Sequence, residues 1–261
     1  LYISIIMEFN KKGILGRAAE AQQSTVVMVV GLRAYMLKVY NYMAAGILLT
    51  GVVALLTFKM SVVTDAGGSI VALTQIGNTV YLSGFKWFVM LAPLGVVIYM
   101  SFGMNKMSVT KAQTTFWIFA ALMGLSLSSI LLIYTQMSIT RVFFICSATF
   151  GVMSLYGYTT KKDLTKLGSF CLMGLFGIII ASLVNLFMKS EMTYFVISII
   201  GVLVFVGLTA YDTQKIKNMY LMNSSGSSAS LSKQAIFAAL TLYLDFINLF
   251  IFLLRLFGQR R

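Results

Sequence analysis

The sequence contains no histidine, a single proline and only two cysteines among its 261 residues. The absence of histidine excludes Ser-His and Cys-His catalysis, the HExxH zinc site and a histidine pH switch. Cys146 and Cys171 have neither metal-binding nor redox spacing, so they are interpreted as small apolar residues of the interior. Any proton sensing by this chain would therefore depend on carboxylates.

Charged residues are also scarce, at 10% of the chain, whereas 59% of the residues are hydrophobic and the mean hydropathy is +0.90. Such a composition leaves too little polar surface for a soluble globule and indicates a polytopic membrane protein. The apolar runs approach the length of a membrane-crossing helix and lack the alternation of barrel strands. The predicted fold class is therefore an all-α membrane protein. Its net charge of +13 is attributed to anionic lipid headgroups and membrane orientation, not to nucleic acid.

The apolar segments predict a domain of seven transmembrane helices over residues 39–257. Residues 1–38 are interpreted as a cytoplasmic amino-terminal tail, since they lack a signal-peptide pattern, and residues 258–261 as a short basic tail. The connection 59–86 is predicted to be a solvated connector, with a short lid as the alternative, and 223–232 a flexible polar linker. The predicted spans are about 40–58, 87–102, 114–135, 142–159, 167–187, 194–212 and 235–257.

The distribution of lysine and arginine predicts the orientation. With the amino end in the cytoplasm, thirteen of the 20 basic residues fall on the inner side and seven on the outer side. Seven crossings then place the carboxyl end outside. Arg260 and Arg261 argue weakly for an alternative in which the last segment re-enters and both ends are cytoplasmic.

Two acidic residues, Asp212 and Asp245, are embedded in hydrophobic sequence. An ionised carboxylate inside a membrane costs about 2.5–3.5 kcal/mol on insertion scales, so an acid placed there suggests function. Thr241, Asp245 and Asn248 recur at helical spacing, which predicts a polar line facing the interior of the bundle. Asp212 lies at the end of its apolar run. The alternative interpretation of Asp212 is an interfacial carboxylate paired with a nearby lysine. The other acids lie in polar stretches: Glu8, Glu20, Asp65, Asp163 and Glu191.

The two aspartates are predicted to meet and to form a proton or ion gate. At about 3 Å and an effective dielectric near 20, two carboxylates repel by roughly 5 kcal/mol, so one proton would be shared between them. The protonated pair would bridge two helices, and the ionised pair would repel or bind a cation such as Ca²⁺, which would make both residues metal ligands as well. No cofactor is predicted. The predicted supporting polar residues are Thr209, Tyr211, Thr241 and Asn248.

Several motifs, in order along the chain, resemble the Bax inhibitor-1 family of transmembrane proteins. They are RAYMLKVYNYMAAGILLTG at the first span, which is similar to bacterial members, GLSLSSILLIY in the third, FGVMSLYGYTTKKDL closing the fourth, GLFGIIIASLVNLF in the fifth, TAYDTQKIK closing the sixth, and the aspartate of the last helix. The resemblance covers about residues 33–257.

The resemblance implies a seven-helix bundle with a central last helix, in a bacterial plasma membrane. It also implies a calcium leak controlled by protonation of an aspartate pair between the sixth and seventh helices, at Asp212 and Asp245. Some bacterial relatives are instead associated with restraining a membrane-bound protease, so a regulator that binds such a partner without transport is the main alternative.

An enzyme is a further alternative, although the prediction is that the protein is not one. Tyr211 and Asp212 in the sixth span, with an aspartate in the seventh, resemble an intramembrane aspartyl protease. Against this, the seventh segment reads YLDF around its aspartate, where that family has glycines before the aspartate. Its proline-containing motif is also absent, because Pro93 is the only proline in the sequence.

Overall fold

A computed structural model describes residues 2–65, 69–103, 106–224 and 226–261, the side chains of residues 2–26 excepted. Seven long helices make up most of it, and each contains a stretch long and apolar enough to cross a membrane, beginning in the first helix at Val27. The prediction of an all-α, seven-helix membrane protein is therefore confirmed. The helices are α1 Tyr2–Ser61, α2 Phe85–Gly103, α3 Val109–Leu127, α4 Gln136–Thr159, α5 Thr165–Met188, α6 Glu191–Asn223 and α7 Ser228–Phe257.

The long connection between α1 and α2 has more regular structure than a solvated connector. Two short strands, β1 (Val62–Thr64) and β2 (Ile70–Leu73), form an antiparallel hairpin. A helical turn at Gln75–Gly77 and a π-helical turn at Asn78–Leu82 then lead into α2. Gly67 and Gly68 of this connection lie outside the described residues. A further short helix, Ile130–Ile133, extends α3.

Hydroxyl side chains define where four of the long helices begin. Ser108, Thr135, Ser190 and Ser227 each accept a hydrogen bond from the backbone N–H three residues further on, which satisfies one of the free amides of a helix start. Because Ser227 caps α7, helix begins within the segment 223–232, and the prediction of a flexible linker over that whole stretch was wrong.

Two helices continue beyond the predicted spans. The boundary predicted at residue 38 falls within the continuous helix α1, where Leu32 and Tyr35 are buried. Helix α6 runs eleven residues past Asp212, to Asn223, because Ile216 and Tyr220 in this extension pack into the core. Hydropathy missed the extension because its lysines dilute the apolar signal.

The last helix, α7, lies at the centre of the bundle. It contacts α1, α3, α4 and α6. Of its most apolar 18 residues 72% are buried, against at most 44% for any other long helix. These contacts confirm the predicted central position. This unbroken helix of 30 residues is about 45 Å long, which is enough to cross a membrane.

Hydrogen bonds connect α7 to two of its neighbours. Thr50 on α1 donates to the carbonyl of Ala120 on α3 at 2.8 Å, and its oxygen lies 2.7 Å from the hydroxyl of Tyr243 on α7. The single hydroxyl proton of Thr50 is used on Ala120, so Tyr243 must donate to Thr50. Tyr243 is fully buried, and this bond satisfies its hydroxyl.

Replacing Thr50 with valine, which keeps the side-chain shape, is expected to destabilise the bundle. The change leaves the Tyr243 hydroxyl unpaired in the interior, at a cost of about 1–3 kcal/mol. Thermal unfolding in detergent should show a midpoint lowered by several degrees. Thr140→Val is the matched control, because the exposed Thr140 hydroxyl bonds only to Gln136 of its own helix. Equal midpoints for the two variants would contradict this role of Thr50.

One glycine of α4 permits a close approach between helix backbones. A β-carbon added at Gly157 would lie 2.1 Å from the carbonyl oxygen of Ala210 on α6. Gly151, on the same helix, has nothing within 4 Å of the corresponding position. Gly157 therefore lets the backbones of α4 and α6 approach closely, whereas Gly151 lies beside open space.

The carboxyl-terminal residues fold back onto the start of α4. The amide of Thr135 donates to the carbonyl of Gln259 at 3.0 Å, and the amide of Arg261 donates to the carbonyl of Ile133 at 2.9 Å. The Ser138 hydroxyl accepts from the amide of Gln259 at 2.8 Å. We call this end of the bundle, where the carboxyl-terminal residues 258–261 lie, the tail side.

Candidate functional site

Asp245 lies in the middle of α7 and is 5% exposed. Its Oδ2 atom is buried and has no hydrogen-bond partner among the described residues. A buried carboxylate oxygen without a donor is costly, and a proton on the carboxyl would reduce that cost. The fold therefore holds an acid at a position where its charge is disfavoured.

Asp212 is half-buried on α6, the helix that packs most extensively against α7. Asp212 and Asp245 are close enough for their charges to act on each other. Lys215, less than one helical turn further on, is near enough for its charge to act on Asp212, and its ammonium lies 5.7 Å from the centroid of the Tyr211 ring. The structure thus places Asp212 well inside its helix, between an acid in the core and a lysine at the surface.

The pairing has a direct chemical consequence. Neither ionised carboxylate has a proton to donate, so a hydrogen bond between the two requires one shared proton. One shared proton would let the pair link α6 to α7. Without it, the two carboxylates would repel each other.

The predicted supporting residues are all near the pair in sequence, but three of them bond only within their own helices. Thr209 donates to Phe205, Thr241 to Phe237 and Asn248 to Leu244, in each case to the backbone carbonyl one turn earlier. The ring of Tyr211 packs where Gly168 of α5 leaves room for it. Among the described residues, these groups form no hydrogen bond to the carboxyls.

A chain of hydroxyls that was not predicted joins three helices beside the pair. The oxygens of Ser154 and Thr213 lie 3.0 Å apart, and Tyr40 on α1 bonds to Ser154. Thr213 donates its only hydroxyl proton to the carbonyl of Thr209 at 2.8 Å, so Ser154 must donate to Thr213, and Tyr40 to Ser154. Tyr40 and Ser154 also line a cavity of about 520 Å³ between α1 and α4. In the sequence, only the four-residue spacing of Thr209 and Thr213 hinted at this chain.

The polar residues that follow Asp212 fix the connection between α4 and α5. The Gln214 side chain accepts from the amide of Leu164 at 2.9 Å and donates to the carbonyl of Lys162 at 2.8 Å. Lys217 donates to the carbonyl of Tyr158 at 2.7 Å. Gln214 and Lys217, in the second half of the TAYDTQKIK motif, therefore have a structural role, because they satisfy backbone groups at the ends of neighbouring helices.

The pair offers carboxylate oxygens to a cation, but it does not form a complete cage. In the described part of the chain there is no cluster of three or more aspartate, glutamate, cysteine or histidine side chains. Calcium prefers six to eight oxygen ligands. A calcium ion at this pair would therefore keep much of its water, as a passing ion does.

Comparison with known sequences identifies the family. The model of the family described as "Inhibitor of apoptosis-promoting Bax1" matches residues 32–261, which is nearly the whole described bundle. The chain belongs to the Bax inhibitor-1 family. It is an integral membrane protein of that family, and the match is not to a known enzyme family.

Several bacterial proteins are similar to this chain over most of its length. Protein RP147 of Rickettsia prowazekii is 52% identical over 231 residues, which cover 88% of this chain and 92% of the relative. Inner membrane protein YbhL of Escherichia coli K12 is 46% identical over 231 residues, 88% of this chain and 94% of the relative. A Caulobacter vibrioides protein is 40% identical over 254 residues, with 97% and 99% covered.

Proposed function

We propose that this protein is a pH-sensitive calcium-leak channel, gated by the shared proton between Asp212 and Asp245. The observation that carries the proposal is that the carboxyls of Asp212 on α6 and Asp245 on α7 act on each other, and that one Asp245 oxygen is buried with no hydrogen-bond partner among the described residues. In the protonated state the pair holds the two helices together. Loss of the proton replaces that bond with a repulsion of roughly 5 kcal/mol at 3 Å and an effective dielectric near 20, which water or a cation relieves.

Calcium is the proposed cargo because ionised carboxylates are hard oxygen ligands and an incomplete site releases its ion readily. Protons and calcium then compete for the same oxygens, so calcium occupancy of the pair falls as the pH falls. The charge of Lys215 acts on Asp212 and limits how much positive charge the pair accepts.

The proposed location is the bacterial plasma membrane, with the amino terminus in the cytoplasm. The excess of basic residues on that side supports the orientation, and the inner-membrane relative YbhL supports the membrane. The tail side then faces away from the cytoplasm.

Purified protein reconstituted into vesicles tests the proposal. Calcium entry, followed with an entrapped fluorescent indicator, should exceed that of protein-free vesicles, and its rate should change by about tenfold or more between about pH 5 and about pH 8. Flux equal to that of empty vesicles, or flux with the same rate at every pH, would rule out the proposed channel. Absence of flux would also favour the alternative, a regulator of a membrane protease, which stays a prediction.

A further inference from the structure

A second polar site lies on the tail side of the bundle, far along α7 from the aspartate pair. It is a cavity of about 770 Å³ where the end of α5, the start of α6 and the end of α7 meet. The volume is in the range of small-molecule sites. Three basic side chains line it, Lys189, Arg255 and Arg260, together with a single acid, Glu191. The lining therefore has a net charge of +2 from side chains.

The Arg255 side chain is held in place. Its guanidinium carbon lies 4.9 Å from the centroid of the Tyr194 ring and 5.2 Å from that of Phe252. Stacking against two rings restricts the guanidinium, so it can bind an anion with little further loss of side-chain entropy. In the described part of the chain, no ion pair to Arg255, Lys189 or Arg260 is found.

The backbone adds to the positive potential of the cavity. Helix α6 begins at Glu191, and Ser190, its cap, lines the same cavity. The partial positive charge of a helix start favours an anion. Asn185 accepts from the amide of Ser190 at 3.1 Å, which fixes the turn between α5 and α6.

The remaining walls are apolar and face outward. Leu186 is 69% exposed and Phe195 is 52% exposed, on helices that otherwise present hydrocarbon to the membrane. Arg255 is two residues from the end of α7, and the ends of membrane-crossing helices lie near the lipid headgroups. A ligand that fits this cavity therefore has an anionic group beside an apolar tail.

We propose that this cavity binds a phosphate group, carried by the headgroup of a phospholipid. The fork of Arg255 suits two phosphate oxygens, Lys189 and Arg260 add to the positive potential around the phosphate, and the acyl chains lie along Leu186 and Phe195. Glu191 opposes the anion and keeps the site from binding every anion tightly. The site is separate from the aspartate pair and does not depend on calcium transport.

Calorimetric titration of the detergent-purified full chain with dioctanoyl phosphatidylglycerol tests the site. The double variant Lys189→Asn with Arg260→Gln is expected to bind the lipid more than about tenfold more weakly than the wild type. Asparagine tolerates the left-handed backbone of residue 189, where φ is 51°, and Arg260 pairs with Tyr134 only through its backbone. The variant should therefore fold, and its unfolding midpoint without lipid checks this.

Two further variants distinguish lipid binding at this cavity from a general effect of surface charge on lipid binding. Glu191→Gln removes the opposing carboxylate and should tighten lipid binding severalfold. Arg141→Gln removes an exposed arginine on the tail side that does not line the cavity, and should leave the affinity within about twofold. Wild-type affinity in the double variant, or equal weakening by Arg141→Gln, would overturn the proposal. Inorganic phosphate binding as tightly as the lipid would overturn the lipid as its source and leave the free anion as ligand.

Discussion

Vesicles that contain the Asp245→Asn variant are expected to lose the pH dependence of calcium flux. Asparagine has nearly the shape of aspartate but no proton to release, so the helix contact no longer responds to pH. Its amide can donate to an Asp212 carboxylate oxygen, so the two side chains can stay bonded without a shared proton. A change of about tenfold or more in the wild type should shrink to less than about twofold in the variant. The measurement is the rate of calcium entry from about pH 5 to about pH 8.

Asp163→Asn is the matched control for this experiment. The Asp163 carboxylate accepts from the hydroxyl and the amide of Thr165, and these bonds lower its pKa from the ordinary value. Asp163 therefore stays ionised throughout the assay and cannot generate its pH dependence. The control should keep the wild-type profile. If Asp245→Asn kept that profile as well, the aspartate pair would not be the gate.

Replacing Gly157 with alanine is expected to destabilise the bundle strongly. The added methyl carbon would lie 2.1 Å from the carbonyl oxygen of Ala210, and a backbone carbonyl inside a helix cannot rotate away. Helices α4 and α6 would have to separate, at a cost of about 3 kcal/mol. For a chain of this size, thermal unfolding in detergent should begin about 6–12 °C lower.

Gly151→Ala, on the same helix, is expected to have the opposite effect on stability. Open space surrounds its new methyl group, and alanine favours helix over glycine by about 1 kcal/mol, so this variant should be as stable as the wild type or more stable. Because Ser154 lies between these two glycines in sequence and bonds to Thr213 on α6, Gly157→Ala should also disturb the hydroxyl chain. Unfolding midpoints that fall equally in both variants would refute the close contact at Gly157.

Hydropathy was enough to predict seven helices, since each long apolar run must bury its backbone polar groups in a helix. It could not locate the end of α6, because Lys215 and Lys217 look like the start of a loop, whereas Ile216 and Tyr220 between and beyond them are buried. It also missed the start of α7 at Ser228, where a serine-rich stretch resembles a linker but supplies a helix cap.

The two aspartates could be found from the sequence because they are the only acids within apolar segments. The residues that surround the two aspartates could not be predicted from the sequence. The hydroxyl chain from Tyr40 to Thr213 joins residues more than a hundred positions apart, and the cavity around Arg255 forms from three separate helices. Sequence spacing shows which residues share a helix face but not which faces meet.

The central position of α7 has a consequence for biogenesis. The helix that fills the middle of the bundle is the seventh of seven, so it emerges from the ribosome after its neighbours have entered the membrane. Until it arrives, Thr50 lacks its tyrosine partner and α6 presents a lone aspartate to an unfilled interior. Chains halted before Ser228 should therefore remain open assemblies that quality-control proteases recognise, and insertion of α7 is the step that commits the protein to its mature form.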